Sequence, residues 1–128
     1  MIEVVAALIR KNDTFLICQR PRDKRQGLMW EFVGGKVETN ESHEQALIRE
    51  CKEELDVTIL PHDVYTVVEH SYPYGDVRLT LFNAEIVSGD IKLIEHEDMR
   101  WITAKEIPSF EFCPADRVIL EKLSAEAK

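Results

Sequence analysis

Apolar and polar positions along the chain change period several times, and each change predicts an element. Ile2 to Arg10 is a mostly apolar run, which predicts a buried strand. Asn12-Asp13 is a turn signal, and Thr14 to Arg20 is a second strand-like run, so the two predict a hairpin. Pro21 to Gly27, with Arg22, Asp23, Lys24 and Arg25, reads as a polar loop. Trp30-Glu31-Phe32-Val33 is a short strand running into a Gly34-Gly35 turn. From Glu41 to about Leu55 the period becomes helical. Thr39 or Asn40 can cap that helix, with Glu41 in its first turn, where the dipole favours a carboxylate. Val57–Leu60, Tyr65–His70 and Val77–Val87 are strand-like, with Ser71 to Asp76 a turn. Ile91 to Met99 is an acidic loop, Met99–Ile102 a short strand and Ala104–Glu106 one helical turn. Pro114-Ala115-Asp116 opens a last helix, in which Val118, Ile119, Leu120 and Leu123 are apolar. The expected class is α/β, a mixed sheet with a long central helix and a terminal one.

Composition narrows the class further. The 128 residues show no repeat, low-complexity tract or linker, so one domain over 1–128 is expected. Hydrophobic content of 45% with 31% charged residues is that of a globular chain. No apolar run approaches the ~20 residues of a membrane span. The N-terminus carries an early acid and lacks a basic region and a small-residue cleavage site, so it reads as a strand and not as a signal peptide. Three cysteines without metal-type spacing point to a reducing, cytoplasmic setting and no disulfide framework. A net charge of −8 disfavours nucleic-acid polymers and acidic membranes as partners. A nucleotide substrate stays open, because a bound divalent metal can supply positive charge. A monomer and a homodimer are both compatible with the chain.

The candidate chemistry sits on the central helix. Glu50, Glu53 and Glu54 stand at i, i+3 and i+4, beside Arg49 and downstream of two glycines. At about 100° per residue, Glu53 lies near −60° and Glu54 near +40° of Glu50, so the three share a face. Leu47, Cys51 and Leu55 fall between about +60° and +140°, an apolar stripe able to anchor the helix. Like charges at this spacing weaken a helix by a few tenths of a kcal/mol. A hard cation bound through oxygen, Mg²⁺ or Mn²⁺, would turn that repulsion into binding. Taken alone, Glu-x-x-Glu-Glu is also compatible with a solvated acidic face.

The longer pattern is more restrictive. Gly35, Glu41, Arg49, Glu50, Glu53, Glu54 and Val57 match the signature G-x5-E-x7-R-E-U-x-E-E-x-G-U, with U bulky and apolar. The chain therefore resembles the Nudix hydrolases. Cys51 replaces an aliphatic residue, and Asp56 stands where the family has glycine. Asp tolerates a left-handed helix end at about 1 kcal/mol, so a small stability cost and no lost ligand are expected there. The resemblance implies the Nudix α/β/α sandwich and attack of water on a diphosphate linkage, with Mg²⁺ (Mn²⁺ possible) as cofactor. It implies Glu50 and Glu54 as metal ligands, with Glu53 close behind and the Gly34 carbonyl completing the shell. Arg49 would orient the carboxylates through a bidentate pair, and Gly35 would shape the turn. Glu41 would support them or serve only as a helix-end charge.

Further resemblances concern substrate. Glu95, six residues before Trp101, matches a loop carboxylate of MutT-type enzymes, a metal ligand or general base; Glu97 competes for the role. Arg20, fifteen before Gly35, matches an arginine placed on the substrate phosphates, or is a strand-end surface charge. Trp30 to Glu38 resembles the Glu-Phe-x-Gly-Gly-Lys-x-Glu segment of MutT-like pyrophosphohydrolases, so Phe32 would line the base pocket or the core. Cys113-Pro114-Ala115-Asp116 is similar to the Pro-Ala-Asp segment of the bacterial CTP pyrophosphohydrolase subgroup, as is the start Met1 to Ala7. Asp116 would then read the base or simply cap the last helix. An ionised aspartate only accepts, favouring donor-rich edges such as cytosine N4 or guanine N1 and N2; burial would let it donate as well. The implied reaction is hydrolysis of a nucleoside triphosphate to monophosphate and pyrophosphate. CTP, dCTP or modified pyrimidine nucleotides come first, and MutT-type cleaning of 8-oxo-dGTP is the alternative. A non-catalytic nucleotide sensor and a metal-buffering protein remain the other classes.

Overall fold

Both faces of the first strand are apolar because both are covered. A computed structural model describes residues 1–127. Its elements are β1 (Ile2–Lys11), β2 (Thr14–Gln19), β3 (Trp30–Glu31), β4 (Gly34–Lys36), α1 (His43–Leu55), β5 (Thr58–Tyr72), β6 (Gly75–Ser88), β7 (Asp98–Ile102), a 3-10 helix (Ala104–Ser109) and α2 (Pro114–Glu126). On β1, Ala6 and Leu8 point into a core shared with Phe15, Ile17, Leu79 and Leu81. Helix α2 closes that core with Ala115, Ile119, Leu120 and Leu123. The alternate residues Val5, Ala7 and Ile9 join Leu16 and Cys18 on the other face. There α1 adds Ala46, Leu47, Cys51 and Leu55, the stripe that the helical spacing predicts. The result is an α/β/α sandwich.

The strand order is β3-β2-β1-β6-β5, with β4 also on β1 and β7 also on β2. The β1–β6 pair is parallel, from Ile2↔Val77 to Ile9↔Ala84, and the other pairs are antiparallel. The β1–β2 hairpin turns at Asn12-Asp13 as expected, with Asn12 at φ 58. The strand-like stretches 57–60 and 65–70 are one strand, β5, bent by register shifts near Thr58, Pro61 and Val64. The β5–β6 turn is tighter than Ser71 to Asp76, because Tyr72 already pairs with Gly75. All three cysteines are buried free thiols. No helix among the described residues is long and apolar enough to cross a membrane.

Two expectations near the signature change. Gly34-Gly35 is not a turn: it is strand, paired with Ala6 and Val5 of β1. A Cβ on Gly34 would collide with the Val5 carbonyl and Ala6 Cα, so the bare backbone allows the approach. Helix α1 starts at His43 and is capped by Ser42, not Thr39 or Asn40. The Gln45 amide donates to Ser42 Oγ (3.0 Å) and the Ser42 amide donates to Gln45 Oε1 (2.9 Å), a reciprocal capping box. Asn40 cannot cap, because its φ of 69 is left-handed where a cap is extended. Glu41 therefore lies ahead of the helix, not in its first turn. At the other end Asp56 is left-handed, at φ 56 and ψ 37, and its carboxylate meets Lys52 (3.2 Å) and Lys92 (3.3 Å).

Urea unfolding checks both points. Gly34→Ala should lose about 2 kcal/mol or more, from overpacking against backbone that cannot yield. Asp56→Val should lose at least about 1 kcal/mol, while Asp56→Gly should stay within about 1 kcal/mol of the parent, trading exposed ion pairs for relief of the left-handed backbone.

Candidate active site

The glycine strand, the carboxylate face of α1, the β5–β6 turn and the start of α2 surround a cavity of ≈ 420 Å³. Glu50 and Glu54 enter it from α1, Arg20 from the end of β2, Lys36 from β4 and Glu95 from the acidic loop. Phe32, Tyr72, Tyr74 and Asp116 line it as well.

Helix geometry divides the three carboxylates. Glu54, near +40°, lies next to the apolar stripe that begins near +60°, so packing the stripe draws it inward. Glu53, near −60°, stays about half exposed and does not line the cavity. Burial, then the neighbouring Glu50, Glu31 and Glu95, push the Glu54 carboxyl up to about 9. Its Oε1 is buried without a hydrogen-bond partner. Glu50 is also raised, mainly by burial, against the pull of Arg49. A Cβ on Gly35 would strike the Glu50 carboxylate, so the glycine leaves room for it.

Arg49 spends all five of its donors on this corner. Nε and Nη2 form a bidentate pair with Glu41 (2.6 and 2.9 Å). Nη1 reaches Glu50 (2.8 Å) and Glu53 (3.2 Å), and Nη2 also donates to the Lys36 carbonyl (3.0 Å). The bidentate partner is thus Glu41, while Glu50 and Glu53 receive one bond each. Glu41 can do this because it precedes the cap; its Oε1 also accepts from the Glu38 amide (3.0 Å). The Arg49 bonds, and then that amide, hold Glu41 down at about 2.

Two residues that sequence reasoning missed knit the site together. Glu31 takes Arg20 Nη1 on one oxygen (2.9 Å) and His96 Nε2 on the other (3.1 Å). His96 is buried, with Nδ1 unpartnered. The neighbouring pattern held a hint, since Glu31 is the one polar residue of Trp30 to Val33, and His96 follows Glu95. Both competing loop carboxylates are exposed, but Glu95 lines the cavity, whereas Glu97 does not and accepts the Arg22 amide (3.3 Å). Arg20 also donates from Nε to the Arg25 carbonyl (2.7 Å).

Asp116 does not cap α2. The cap position is Cys113, without a side-chain bond, and Asp116 sits buried in the first turn. Its Oδ1 accepts the Phe32 amide (3.2 Å), tying α2 to the segment before β4. Burial, with Glu31 adding repulsion, raises its carboxyl to about 8. Phe32 is both core and cavity lining: it packs near Phe15 (6.1 Å) and its amide anchors Asp116.

The donor set suits a hard divalent cation. Two clustered carboxylates, one with an orphaned oxygen and both raised by burial, are short of positive charge. Among the described residues no three His, Cys, Asp or Glu side chains converge on one point. That is compatible with two carboxylates and a main-chain carbonyl.

The NUDIX domain model matches residues 1–123. The CTP pyrophosphohydrolase of Escherichia coli is 34% identical over 125 residues, covering 98% of this chain and 93% of the relative. The 8-oxo-dGTP diphosphatase of the same organism is 27% identical over 123 residues, covering 95% of each. The crystal structure of the MutT protein from Methanosarcina mazei superposes with a TM-score of 0.87 at 30% identity, covering 99% of this chain and 95% of that one.

Glu54 gives the site a measurable pH signature. Between about 4.5 and about 9 the folded state holds a proton on Glu54 that the unfolded state releases, so metal-free stability falls as pH rises through that window. In chelator, melting should be lower at pH 8.5 than at pH 6. Glu54→Gln should flatten this slope, though Asp116 adds the same sign, and should be more stable than the parent at pH 8 by on the order of 2 kcal/mol. Added Mg²⁺ should raise the parent's melting temperature and leave the variant's unchanged; an unchanged slope in the variant would show that Glu54 is not the titrating group.

Proposed function

The chain belongs to the Nudix hydrolase family, and on that premise we propose that it hydrolyses nucleoside triphosphates to monophosphate and pyrophosphate, taking cytosine-bearing substrates first. Nudix hydrolases act on nucleotide substrates and generally use a divalent metal, here Mg²⁺ or Mn²⁺. The observation that carries the reading is the Glu50–Glu54 pair, drawn out of water in a cleft that also holds Arg20 and Lys36.

In this reading Glu50, Glu54 and the Gly34 carbonyl hold the cation, and Glu53 offers a further oxygen from the exposed edge of α1. When bound, the cation supplies positive charge to the diphosphate oxygens and favours ionisation of water. Glu95, in the cleft, takes the proton of the attacking water. Arg49, with Glu41 and the Lys36 carbonyl, fixes where Glu50 points. Arg20 uses Nε and Nη1 within the protein, and Nη2 makes no hydrogen bond among the described residues, so it is available to a phosphate oxygen. Such preorganised charge acts without reorganisation cost in the transition state.

Asp116 supports the base preference. Near neutral pH its raised carboxyl is protonated and offers one donor and one acceptor. The cytosine edge, with the N4 amine and the N3 lone pair, complements that pair. Guanine's N1-H and N2-H₂ instead call for two acceptors, which Asp116 presents once ionised. This is the observation that keeps 8-oxo-dGTP as a second reading. The E. coli relatives bear names of both kinds. A non-catalytic sensor is less favoured, because the signature carboxylates are all kept; a metal buffer would bind the cation without turnover.

Pyrophosphate release with Mg²⁺ from CTP, dCTP, 5-methyl-dCTP, dGTP, 8-oxo-dGTP, ADP-ribose and a diadenosine polyphosphate tests the reading. Cytosine nucleotides should lead, and no turnover of any triphosphate would overturn it. Glu54→Gln should cost at least about a hundredfold in kcat. The kcat/KM ratio of dCTP to 8-oxo-dGTP should fall as pH rises through about 8, as Asp116 ionises. Asp116→Asn should flatten that change while keeping the metal requirement.

A further inference from the structure

The β5–β6 turn carries an aromatic stack that the proposed chemistry leaves unused. His70 meets Tyr72 edge-on (ring centroids 4.5 Å), and Tyr72 lies almost parallel to Tyr74 (5.2 Å, 10°). The Arg25 guanidinium covers the Tyr74 ring at 4.1 Å from its centroid. Arg25 belongs to the polar segment Pro21 to Gly27, far from Tyr74 in sequence, so the contact bridges two chain segments at the cavity. Tyr72, Tyr74 and Arg25 all line that cavity together with Asp116.

The stack is anchored at both ends. The Tyr72 hydroxyl accepts the Ala115 amide (3.0 Å), one residue from Asp116. The Arg25 carbonyl accepts Arg20 Nε, and Arg20 in turn holds Glu31. The stack thus runs from the residue next to Asp116 to the arginine assigned to the phosphates. Tyr74 is still 42% exposed, and a flexible cation, the Arg25 guanidinium, lies over its ring. A large aromatic residue left this exposed gains little for folding, whereas tyrosine and guanidinium planes stacked beside a polar base reader form a surface on which a nucleobase stacks.

Resting on the triphosphate reading above, we propose that Tyr74 and Arg25 are specificity-determining residues that form the nucleobase wall of the cleft and hold the base against Asp116. Arg25 suits this role because a planar guanidinium stacks on aromatic faces, the tyrosine ring and a base alike, which a lysine ammonium does less well. Its partner is a nucleobase and not a phosphate, since its guanidinium lies on the ring.

Steady-state kinetics on the Mg²⁺-loaded protein separate this from alternatives. Tyr74→Ala and Arg25→Ala should each raise KM for the best triphosphate of the panel by about tenfold, with kcat within about twofold. The double variant should resemble the singles, because both remove one stacked wall. Inorganic tripolyphosphate, which has no base, serves as a competitive inhibitor, and its inhibition constant should not move. Arg25→Lys should fall between parent and Arg25→Ala. Equal weakening of triphosphate and tripolyphosphate would make Arg25 a phosphate ligand and overturn the wall, as would unchanged KM in both single variants. A parent without triphosphate turnover would instead defeat the underlying reading, so the two failures are distinguishable.

Discussion

The site depends on keeping carboxylates out of water at the place where a helix meets a strand of bare glycine backbone. Glu54 is drawn in by the same packing that buries Leu47, Cys51 and Leu55. Gly34 lets β4 approach β1, and Gly35 leaves the space that Glu50 occupies. The folded chain thereby holds carboxyl groups in a low-dielectric cleft, and the raised carboxyl of Glu54 records the cost of ionising it there. A fold that only maximised stability would place neutral or solvated groups there. Stability withheld at a cation site is recovered when positive charge arrives.

Arg49 limits the cost without cancelling it. It neutralises the exposed side of the corner, through Glu41 and Glu53, and gives Glu50 one strong bond. Glu54 receives none of its donors. The arginine therefore orients the cluster and leaves the inner carboxylate unsatisfied, a division that follows from geometry: Glu41 lies before the helix cap, within reach of a bidentate pair. Lysine, with a point charge and three donors, could not hold four partners in this arrangement.

Glu31 links the two ends of the cleft electrostatically. It raises both Glu54 and Asp116, while its own charge is met by Arg20 and faces His96. Tyr72 provides a mechanical counterpart, since its hydroxyl fixes the turn relative to the start of α2.

The local pattern determined much of this by itself. Apolar runs and helical spacing placed most of the elements, the burial stripe of α1 and its acidic face, because period and side-chain direction are local properties. The signature spacing placed Glu41, Arg49, Glu50, Glu53 and Glu54 together, and the left-handed end at Asp56 followed from the helix stopping there. Only the tertiary structure decided the rest. Whether Gly34-Gly35 turns or pairs depends on β1, some 30 residues away. The cap moved to Ser42 because Asn40 is left-handed in the folded chain. Which of Glu95 and Glu97 enters the cleft, and that Asp116 bonds the Phe32 amide with its carboxyl pushed up by burial, are matters of burial and long-range approach. Glu31, His96, Arg25 and Tyr74 stayed illegible for the same reason: their partners come from other segments, and no spacing along one segment encodes such a meeting.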